Sequence, residues 1–514
     1  MKPSDLGLSF PNWLPYQEPV ALAAHGSHKP FVLIEAPTGS GKTAIAAAMA
    51  HLGQVNAVYT CLSRGLQDQV IRDFPFAVEL KGRSNYPCQL LPNAFPEVSA
   101  EHCQHRKDAP CSKLDSCEYR AAKRRALSAK LAVLNLAYFL EETNHVGAFR
   151  NTKLLILDEG DEVESALLSH IEVSISRKRL ERLGIMDLPQ YKTKPESWRV
   201  WCDGVLSVAQ PILNRLIVEQ EERQTYDFAR QREIIALGRL CSRLSFFAKG
   251  PVDNWVYDPE DNRVVFKPVW ASGFATSRLF QWVKGKTLAM SATLQPRQWA
   301  ADLGVEFSSA MALDIPSRFP IDRRPIYYTP AFNMTHKTSD QEWPKMLRWV
   351  DGVIDRYPQQ RGLIHSVSYA LGNYILKGSR HRSQLVGHTP VTRDEVVRAF
   401  ILGEYPNDAV LVSPALSRGV DLKYDLCRFI IVPKVPWLNR GDKQVAQRLY
   451  GGGKRGQEWY MAATSRTLVQ ASGRGMRAAD DRCDTWLGDS QFERLLQDGR
   501  WCFPKWWLEA LVRA

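Results

Sequence analysis

A glycine-rich segment lies between an apolar run and an alanine-rich run near the start of the sequence. Residues 36–43 read Ala-Pro-Thr-Gly-Ser-Gly-Lys-Thr. A strand, a glycine-rich loop and a helix in this order form a phosphate loop, whose backbone N–H groups face the phosphates of a nucleotide. We expect Lys42 to reach the β- and γ-phosphates and Thr43 to bind Mg²⁺. The predicted nucleotide-binding residues of the loop are Pro37, Thr38, Gly39, Ser40, Gly41, Lys42 and Thr43.

Two carboxylates end a second apolar run. Residues 153–157 read Lys-Leu-Leu-Ile-Leu, and Asp158 and Glu159 follow them. We expect Asp158 to hold Mg²⁺ through water and Glu159 to polarise the attacking water, because a phosphate loop needs such a partner. These residues alone leave open an ordinary strand with a solvated acidic end.

Polar residues near the C terminus complete the candidate nucleotide site. Residues 469–477 read Val-Gln-Ala-Ser-Gly-Arg-Gly-Met-Arg, and residues 290–294 read Met-Ser-Ala-Thr-Leu after another apolar run. Arg474 and Arg477 are three residues apart, which predicts one helical face presenting both guanidinium groups to the γ-phosphate across a cleft. Gln470 joins the predicted nucleotide site. A solvated basic helix is the alternative.

Four cysteines lie between the phosphate loop and the acidic run. Cys88, Cys103, Cys111 and Cys117 are separated by 14, 7 and 5 residues, in a segment rich in Lys, Arg and His. Four thiolates can ligate a [4Fe–4S] cluster or a tetrahedral zinc ion, and the spacing does not decide between them. No Cys-x2-Cys pair is present, which weakens an ordinary zinc ribbon. Either metal would staple a segment that has few apolar residues of its own.

The composition is that of a globular protein with a positive surplus. Across 514 residues the net charge is +12, with 45% hydrophobic and 24% charged residues. A pI near 9.2 favours a polyanionic partner such as nucleic acid. No apolar run approaches the roughly 18 residues of a membrane span, and the first residues lack the apolar stretch of a signal peptide. We therefore expect a cytoplasmic protein with no membrane partner. Its protein partners are not readable from the sequence.

Together these motifs resemble the superfamily 2 DNA helicases of the XPD/DinG family, and the resemblance covers nearly the whole chain. Residues 15–17, Pro-Tyr-Gln, look like the family's adenine-reading element, which adds Gln17 to the nucleotide site. The segment 80–88 is similar to the entry of a DinG-like iron–sulfur domain. The resemblance therefore implies that Cys88, Cys103, Cys111 and Cys117 bind a [4Fe–4S] cluster.

Contacts with DNA also follow from the resemblance. Residues 59–69 are similar to a motif that contacts single strands, and residues 362–369 and 412–422 are similar to motifs IV and V. One position departs from the family, whose acidic motif ends in His where this chain has Asp161. That His helps couple ATP hydrolysis to DNA binding, so coupling here is expected to be looser or carried differently. The implied DNA-binding residues are Thr60, Ser63, Arg64, Arg83, Tyr86, Ser366, Ser368 and Ser413.

The expected fold is α/β, with two RecA-like parallel-sheet domains, an inserted iron–sulfur domain and a small helical arch. Apolar residues at helical spacing between 198 and 250 predict two antiparallel arch helices, broken near residues 219–224. The stretches 254–257 and 263–266 predict a hairpin. The expected bounds are 1–80, 131–170 and 275–300 for the first RecA-like domain, 81–130 for the iron–sulfur domain, 171–274 for the arch and 301–514 for the second RecA-like domain.

The resemblance implies an ATP-dependent DNA helicase that moves 5′→3′ on single-stranded DNA and opens forked duplexes. Its cofactors would be ATP, Mg²⁺ and a [4Fe–4S] cluster. A fused nuclease is not expected, because the phosphate loop begins at residue 36. Two alternatives stay open. One is a DNA-stimulated ATPase or translocase that unwinds little, and the other is a cluster-stapled nucleic-acid-binding module with a vestigial ATPase.

Overall fold

The computed structural model of the protein describes most of the chain. The described residues are 2–6, 8, 11–53, 56–89, 97–103, 111, 115–192, 194–222, 227–250, 254–260, 262–335, 337–414, 422–476, 478 and 480–513. They form two seven-stranded sheets and one three-stranded sheet. Both large sheets are wholly parallel, as their pairings show. The predicted fold class is confirmed.

The first sheet carries the phosphate loop and the acidic motif at the ends of its strands. Its strands, in spatial order, are Ala310–Asp314, Phe31–Glu35, Val283–Ser291, Thr152–Asp158, Ala57–Cys61, Leu131–Asn135 and Val78–Leu80. The helices of this half are Gln17–Gly26, Lys42–Gly53, Arg64–Asp73, Glu118–Ser128, Leu136–Glu141, Val163–Ile171, Ala275–Arg278 and Pro296–Asp302, with a π-helical turn at Glu142–Val146. Successive residues of Phe31–Glu35 face two different cores, since Leu33 belongs to one and Val32 and Ile34 to the other. Burial on both faces explains why this strand is a continuous apolar run.

The second sheet is built in the same way. Its strands, in spatial order, are Leu385–Val386, Val410–Ser413, Gly362–His365, Phe429–Val432, Asp484–Asp489, Ile326–Phe332 and Leu511–Arg513. Its helices are Glu342–Ile354, Tyr369–Gly378, Arg393–Ile401, Lys443–Gly451, Gly453–Ser472, Gln491–Gly499 and Lys505–Leu508. We call Gly453–Ser472 the cleft helix, because it faces the first sheet's motifs.

The arch consists of two long helices beside a small sheet. Pro195–Glu222 and Phe228–Lys249 pack against each other, and Arg177–Arg182 precedes them. The strands Val173–Ser176, Arg263–Pro268 and Trp255–Pro259 pair antiparallel in that spatial order. The predicted pair of helices and the predicted hairpin are both confirmed.

The predicted domain bounds stay a proposal, and one pairing favours moving one of them. Ala310–Asp314 pairs with Phe31–Glu35 in the first sheet, although it lies beyond residue 300. The next strand, Ile326–Phe332, belongs to the second sheet. We therefore place the boundary between the two RecA-like domains between residues 314 and 326. No helix in the described part of the chain is both long and apolar enough to cross a bilayer.

A buried ion pair joins the two halves of the molecule. Arg448 donates to both carboxylate oxygens of Glu164, at 2.8 and 3.3 Å, and also to the carbonyl of Val269. Its guanidinium lies over the rings of Trp270 and Trp459, at 4.7 and 4.4 Å. A planar, bidentate group that also stacks is a role that lysine cannot fill. Arg448 thus fixes the helix Lys443–Gly451 to the first sheet's helices.

We predict that Arg448→Ala lowers the free energy of unfolding by about 3–5 kcal/mol, because it leaves Glu164 buried without its partner. Burial and the charge of Glu164 raise the pKa of the Asp302 carboxyl to about 8. This second carboxyl would remain beside Glu164 in the variant. Denaturant titration measures the loss. The control is the double variant Arg448→Met with Glu164→Leu, which removes both charges and should cost less than the single change. If the double variant lost as much free energy of unfolding or more, the loss in Arg448→Ala would come from packing and not from the unpaired charge of Glu164.

Candidate functional site

The phosphate loop has the backbone that anion binding requires. Gly39 and Gly41 have φ values of +77° and +71°, which other residues rarely adopt. A side chain at Gly39 would also meet the ring of Phe319, from the second half of the molecule, at 2.6 Å. The loop turns directly into the helix Lys42–Gly53, so its amide groups lie at a helix N-terminus.

Gln17 lies against the phosphate loop. Its side-chain Nε2 donates to the carbonyls of Ser40 and Gly41, at 3.2 and 3.4 Å, while its Oε1 accepts from the amide of Leu14. Tyr16 donates its hydroxyl to Ser40 as well, at 3.1 Å. These contacts tie residues 16 and 17 to the loop itself, and the predicted reading of adenine by Gln17 stays a prediction.

The acidic motif faces the loop lysine. Lys42 Nζ lies 3.6 Å from Glu159, and Ser291 donates its hydroxyl to the same carboxylate at 3.5 Å. Burial raises the pKa of Asp158, and the charge of Lys42 opposes that rise. Glu159 has a left-handed backbone with φ of 52°, a conformation in which such residues store strain at functional sites. The structure therefore brings together Lys42, Asp158 and Glu159 as the sequence predicts.

Asp161, the position that departs from the expected pattern, links three motifs. Its carboxylate accepts from the hydroxyl of Thr293 at 2.7 Å and from the side-chain amide of Gln470 at 2.9 Å. Gln470 also donates to Thr293, at 3.2 Å. Asp161 and Thr293 belong to the first half and Gln470 to the cleft helix, so this network spans the cleft.

The predicted arginine face differs from what the structure contains. The cleft helix ends at Ser472 and Gly473 follows it, so Arg474 lies beyond the helix. Burial, and then the positive charge of Arg474, lower the pKa of His365 to about 4. Arg477 lies outside the described residues. The prediction that both arginines share one helical face is therefore wrong for Arg474, because the helix ends at Ser472.

Arg466, which sequence reasoning missed, reaches the acidic motif from the cleft helix. Its Nη1 donates to the carbonyl of Asp161 at 3.2 Å, and its Nη2 donates to Gln295 at 3.3 Å. The sequence feature that could have indicated Arg466 is its position four residues before Gln470, on the same helical face. A single basic residue in a mixed helix does not reveal its partner from sequence alone.

The four cysteines line one cavity of about 410 Å³. The same cavity is lined by the cations Arg83, Arg120, Lys123 and Arg124 and by Tyr119. Thiolates ligate iron–sulfur clusters and zinc alike, so this donor set fits either group, and the cations would offset its negative charge. Behind the cavity, buried Glu142 accepts from Tyr119 at 3.1 Å and pairs with Lys123. That network fixes the helix Glu118–Ser128 to the first sheet's half.

Comparisons with known proteins identify helicase domains in both halves of the chain. A model described as DEAD/DEAH box helicase matches residues 15–190, and one described as helicase C-terminal domain matches residues 356–510. Similar solved structures include an XPD helicase (15% identity, 97% of this chain and 98% of that chain, TM-score 0.65), an apo XPD (16%, 98% and 100%, 0.62) and Xpd4 of S. tokodaii (15%, 98% and 100%, 0.55). At these identities the likeness shows the fold. No curated protein matches the sequence.

The chain carries a DEAD/DEAH box helicase domain followed by a helicase C-terminal domain, and its fold is similar to that of the XPD helicases. It is accordingly a helicase-type, nucleic-acid-dependent ATPase that uses ATP and Mg²⁺.

This helicase presents only some of the predicted DNA-binding residues at its surface. Ser63 and Arg64 are exposed at the start of the helix Arg64–Asp73, and Ser368 is exposed where it caps Tyr369–Gly378. Thr60 is buried, and its hydroxyl donates to the carbonyl of Ile156 at 2.9 Å. The prediction that Thr60 contacts DNA is not supported by this placement, because its hydroxyl is committed inside the sheet.

Two further predicted DNA contacts are buried as well. Ser366 donates its hydroxyl to the carbonyl of Ser368, and Ser413 lies 2.9 Å from His388. Val367, which lies between Ser366 and Ser368, has φ of 62°, a strained conformation for a β-branched residue. Ser366 and Ser413 are therefore buried and do not face solvent.

Arg83 and Tyr86 are engaged with their neighbours. Arg83 donates to the hydroxyl of Tyr119 at 3.2 Å and lies 3.7 Å from Glu142, with 38% of its side chain exposed. Tyr86 packs edge-on against Tyr119 and accepts from the amide of Lys81. Their predicted contact with DNA stays a prediction.

Glu35, directly before the phosphate loop, makes the helicase's stability depend on pH. Burial raises the pKa of Glu35 from 4.5 to about 7, and Asp314 and Asp161 add to the rise. The folded protein thus keeps this proton at a higher pH than the unfolded chain does. The free energy of unfolding should therefore fall as pH rises from about 4.5 to about 7.

We predict that Glu35→Gln stabilises the protein above pH 7 by up to about 3 kcal/mol and has little effect near pH 4, because glutamine carries no titrating proton. Urea titrations at both pH values measure the difference. Glu342→Gln is the control, since Lys345 holds the pKa of Glu342 below its usual value and its loss brings no such gain. A Glu35→Gln effect that is the same at both pH values would contradict the assignment.

Proposed function

We propose that this helicase hydrolyses ATP to move along single-stranded DNA and to open forked duplexes, in the 5′→3′ direction that the family resemblance implies. The observation that carries the proposal is the network across the cleft, in which Gln470 donates to Asp161 beside Lys42 and Glu159. A cleft whose two sides bond through the acidic motif is suited to convert ATP turnover into domain movement. Exposed Ser63, Arg64 and Ser368 are suited to contact the phosphates of a single strand.

The proposed chemical roles follow from the contacts. Lys42 neutralises charge on the β- and γ-phosphates, Thr43 and Asp158 hold Mg²⁺, and Glu159 orients the attacking water. Arg474, from the second half, is proposed to approach the γ-phosphate when the cleft closes. Catalysis then consists of positioning and of stabilising charge that grows in the transition state.

Asp161 does not weaken this proposal. A glutamine amide both donates and accepts, so Gln470 can present its NH2 group to a carboxylate as readily as its oxygen to an imidazole. The 2.9 Å contact uses the first of these options. A translocase that unwinds little remains the second candidate function, favoured only by this departure from the family, and a comparison of fork unwinding with ATP turnover separates the two.

We also propose that the four cysteines bind a [4Fe–4S] cluster. A zinc ion would hold its four sulfurs about 3.8 Å apart, given Zn–S bonds of about 2.3 Å in a tetrahedron. All four cysteines are described, and no three of their sulfurs lie within 4.8 Å of one another although they share one cavity. A larger group than one ion suits that separation. The cluster would staple residues 81–130, which would part the strands at a fork.

We predict that Lys42→Ala lowers ATP turnover by about 10²- to 10³-fold, because it removes charge stabilisation from the transition state. Single-strand affinity should change little, since the phosphate loop lies apart from the exposed DNA-contact candidates. Steady-state ATPase measurements test the predicted loss of turnover, and fluorescence anisotropy tests the predicted single-strand affinity. Lys284→Ala is the control, because it removes the same charge from the start of Val283–Ser291, at the opposite edge of the parallel sheet. Near wild-type turnover in Lys42→Ala would disprove the role of the loop.

A second prediction concerns Cys111→Ser. The wild type, purified without oxygen, should be yellow-brown and contain about four irons per chain, as thiolate-ligated clusters do. Cys111→Ser should lose iron and colour. It should retain part of its basal ATPase activity, because the motifs of the nucleotide site lie outside residues 81–130. It should lose unwinding, because that segment is proposed to part the strands. Iron analysis, visible absorbance and a fork-unwinding assay measure these effects.

The control for the cysteine experiment is Cys241→Ser, which changes a buried cysteine of the arch outside the cavity. It should keep the iron and the colour. A colourless wild type with one zinc would refute the cluster, and full unwinding in Cys111→Ser would refute the role of the segment in parting strands.

A further inference from the structure

Gln295 has a backbone conformation that its residue type does not favour. It precedes the helix Pro296–Asp302 with φ of 50° and ψ of 72°. Glycine, asparagine and aspartate are the usual residues in this left-handed region. Another residue persists there only where the surrounding structure holds it. Glycine would suit the backbone better, so the side chain of Gln295 must contribute something that glycine lacks.

That side chain enters the second half of the molecule and is buried there. Its Nε2, which carries two hydrogens, lies within hydrogen-bonding distance of three acceptors: the carbonyls of Ala462 and Cys502, at 3.1 and 2.7 Å, and the hydroxyl of Ser465, at 2.9 Å. Its backbone amide stays in the first half, where it donates to Glu35 at 3.0 Å. One residue thus bonds the end of the strand before the phosphate loop to the cleft helix.

Arg466 closes this connection onto the acidic motif. One guanidinium nitrogen donates to Gln295 Oε1 and another to the carbonyl of Asp161. One helical turn later, Gln470 bonds the carboxylate of the same Asp161. The cleft helix therefore holds Asp161 from two successive turns, through Arg466 and Gln470. Arg466 also bonds Gln295.

We infer that Gln295 and Arg466 are positioning residues that couple the phosphate loop and the acidic motif to movement of the second RecA-like domain. This inference rests on the proposed function, in which nucleic acid and nucleotide change the cleft. A displacement of the cleft helix acts through Arg466 on the turn that holds Asp158 and Glu159. It acts through Gln295 on Glu35, next to the phosphate loop. Neither residue needs to touch the nucleotide.

Arg455 provides a matched control within the same helix. Its Nη2 donates to the hydroxyl of Ser272 at 3.0 Å and to the carbonyl of Ala301 at 2.9 Å. It is thus an arginine of the cleft helix that bonds the first half in the same manner, but it touches neither the acidic motif nor Gln295. Its removal separates coupling from ordinary docking of the two halves.

The experiment compares Arg466→Ala, Gln295→Gly and Arg455→Ala in the metal-loaded full chain. ATP turnover is measured with and without single-stranded DNA, with kcat and KM determined separately. We expect stimulation of kcat by DNA to fall at least about 5-fold in Arg466→Ala and Gln295→Gly, the lower end of typical coupling between sites, and to persist in Arg455→Ala. The double variant of Gln295 and Arg466 should fall little further, since both act in one connection. Gln295→Gly relieves backbone strain but leaves the buried carbonyls of Ala462 and Cys502 without this donor. Denaturant titration therefore accompanies the assay, and the loss of stimulation counts only if the variant is folded.

A second readout needs no nucleic acid. Hydrogen exchange with and without AMP-PNP should show protection of residues 159–163 and 465–470 in the wild type and in Arg455→Ala, and none in Arg466→Ala. Equal loss in Arg455→Ala, or unchanged coupling in Arg466→Ala, overturns the inference. A wild type that no nucleic acid stimulates overturns the proposed function instead, and the exchange pattern then still decides whether Arg466 links nucleotide to the cleft helix.

Discussion

Parallel pairing within the first sheet is the constraint on which the nucleotide site depends. Glu35 pairs in register with Ser291, and Asp158 pairs with Met290 on the other side of the same central strand. The carboxyl ends of these three strands meet at one edge, so residues more than 250 positions apart in the sequence become neighbours. The long insertions between them, with the cysteines and the arch, must begin and end without disturbing this register.

Much of this arrangement is readable from local sequence. The apolar run before the phosphate loop predicts the strand Phe31–Glu35, and the run before Asp158 predicts Thr152–Asp158, because strands buried on both faces are continuously apolar. The pair of arch helices follows from apolar spacing, and the hairpin from two short runs of valine and aromatic residues. These features depend on neighbours close in the chain.

The remaining features depend on contacts that local patterns do not encode. The cleft helix ends at Ser472, before Arg474, although the spacing of Arg474 and Arg477 suits a helix. Thr60 and Ser413 have residue types that suit DNA contact, yet the sheets bury their hydroxyls. Gln295 and Arg466 show no motif at all. Their importance comes from a left-handed backbone and from partners in the opposite half, which only the assembled cleft supplies.

The first half, the arch and the cysteine-bearing segment share one hydrophobic core. Tyr119 and Ala122 from beside the cysteines, Trp198 and Leu244 from the arch, and Leu155 from the central sheet belong to the same cluster. Arg239 of the arch also pairs with Glu101, two residues from Cys103, at 2.7 Å. These inserted parts are therefore not separable modules. A chimaera that replaced the arch with that of another helicase would therefore need a matching cysteine segment to keep this shared core and the pair of Arg239 with Glu101.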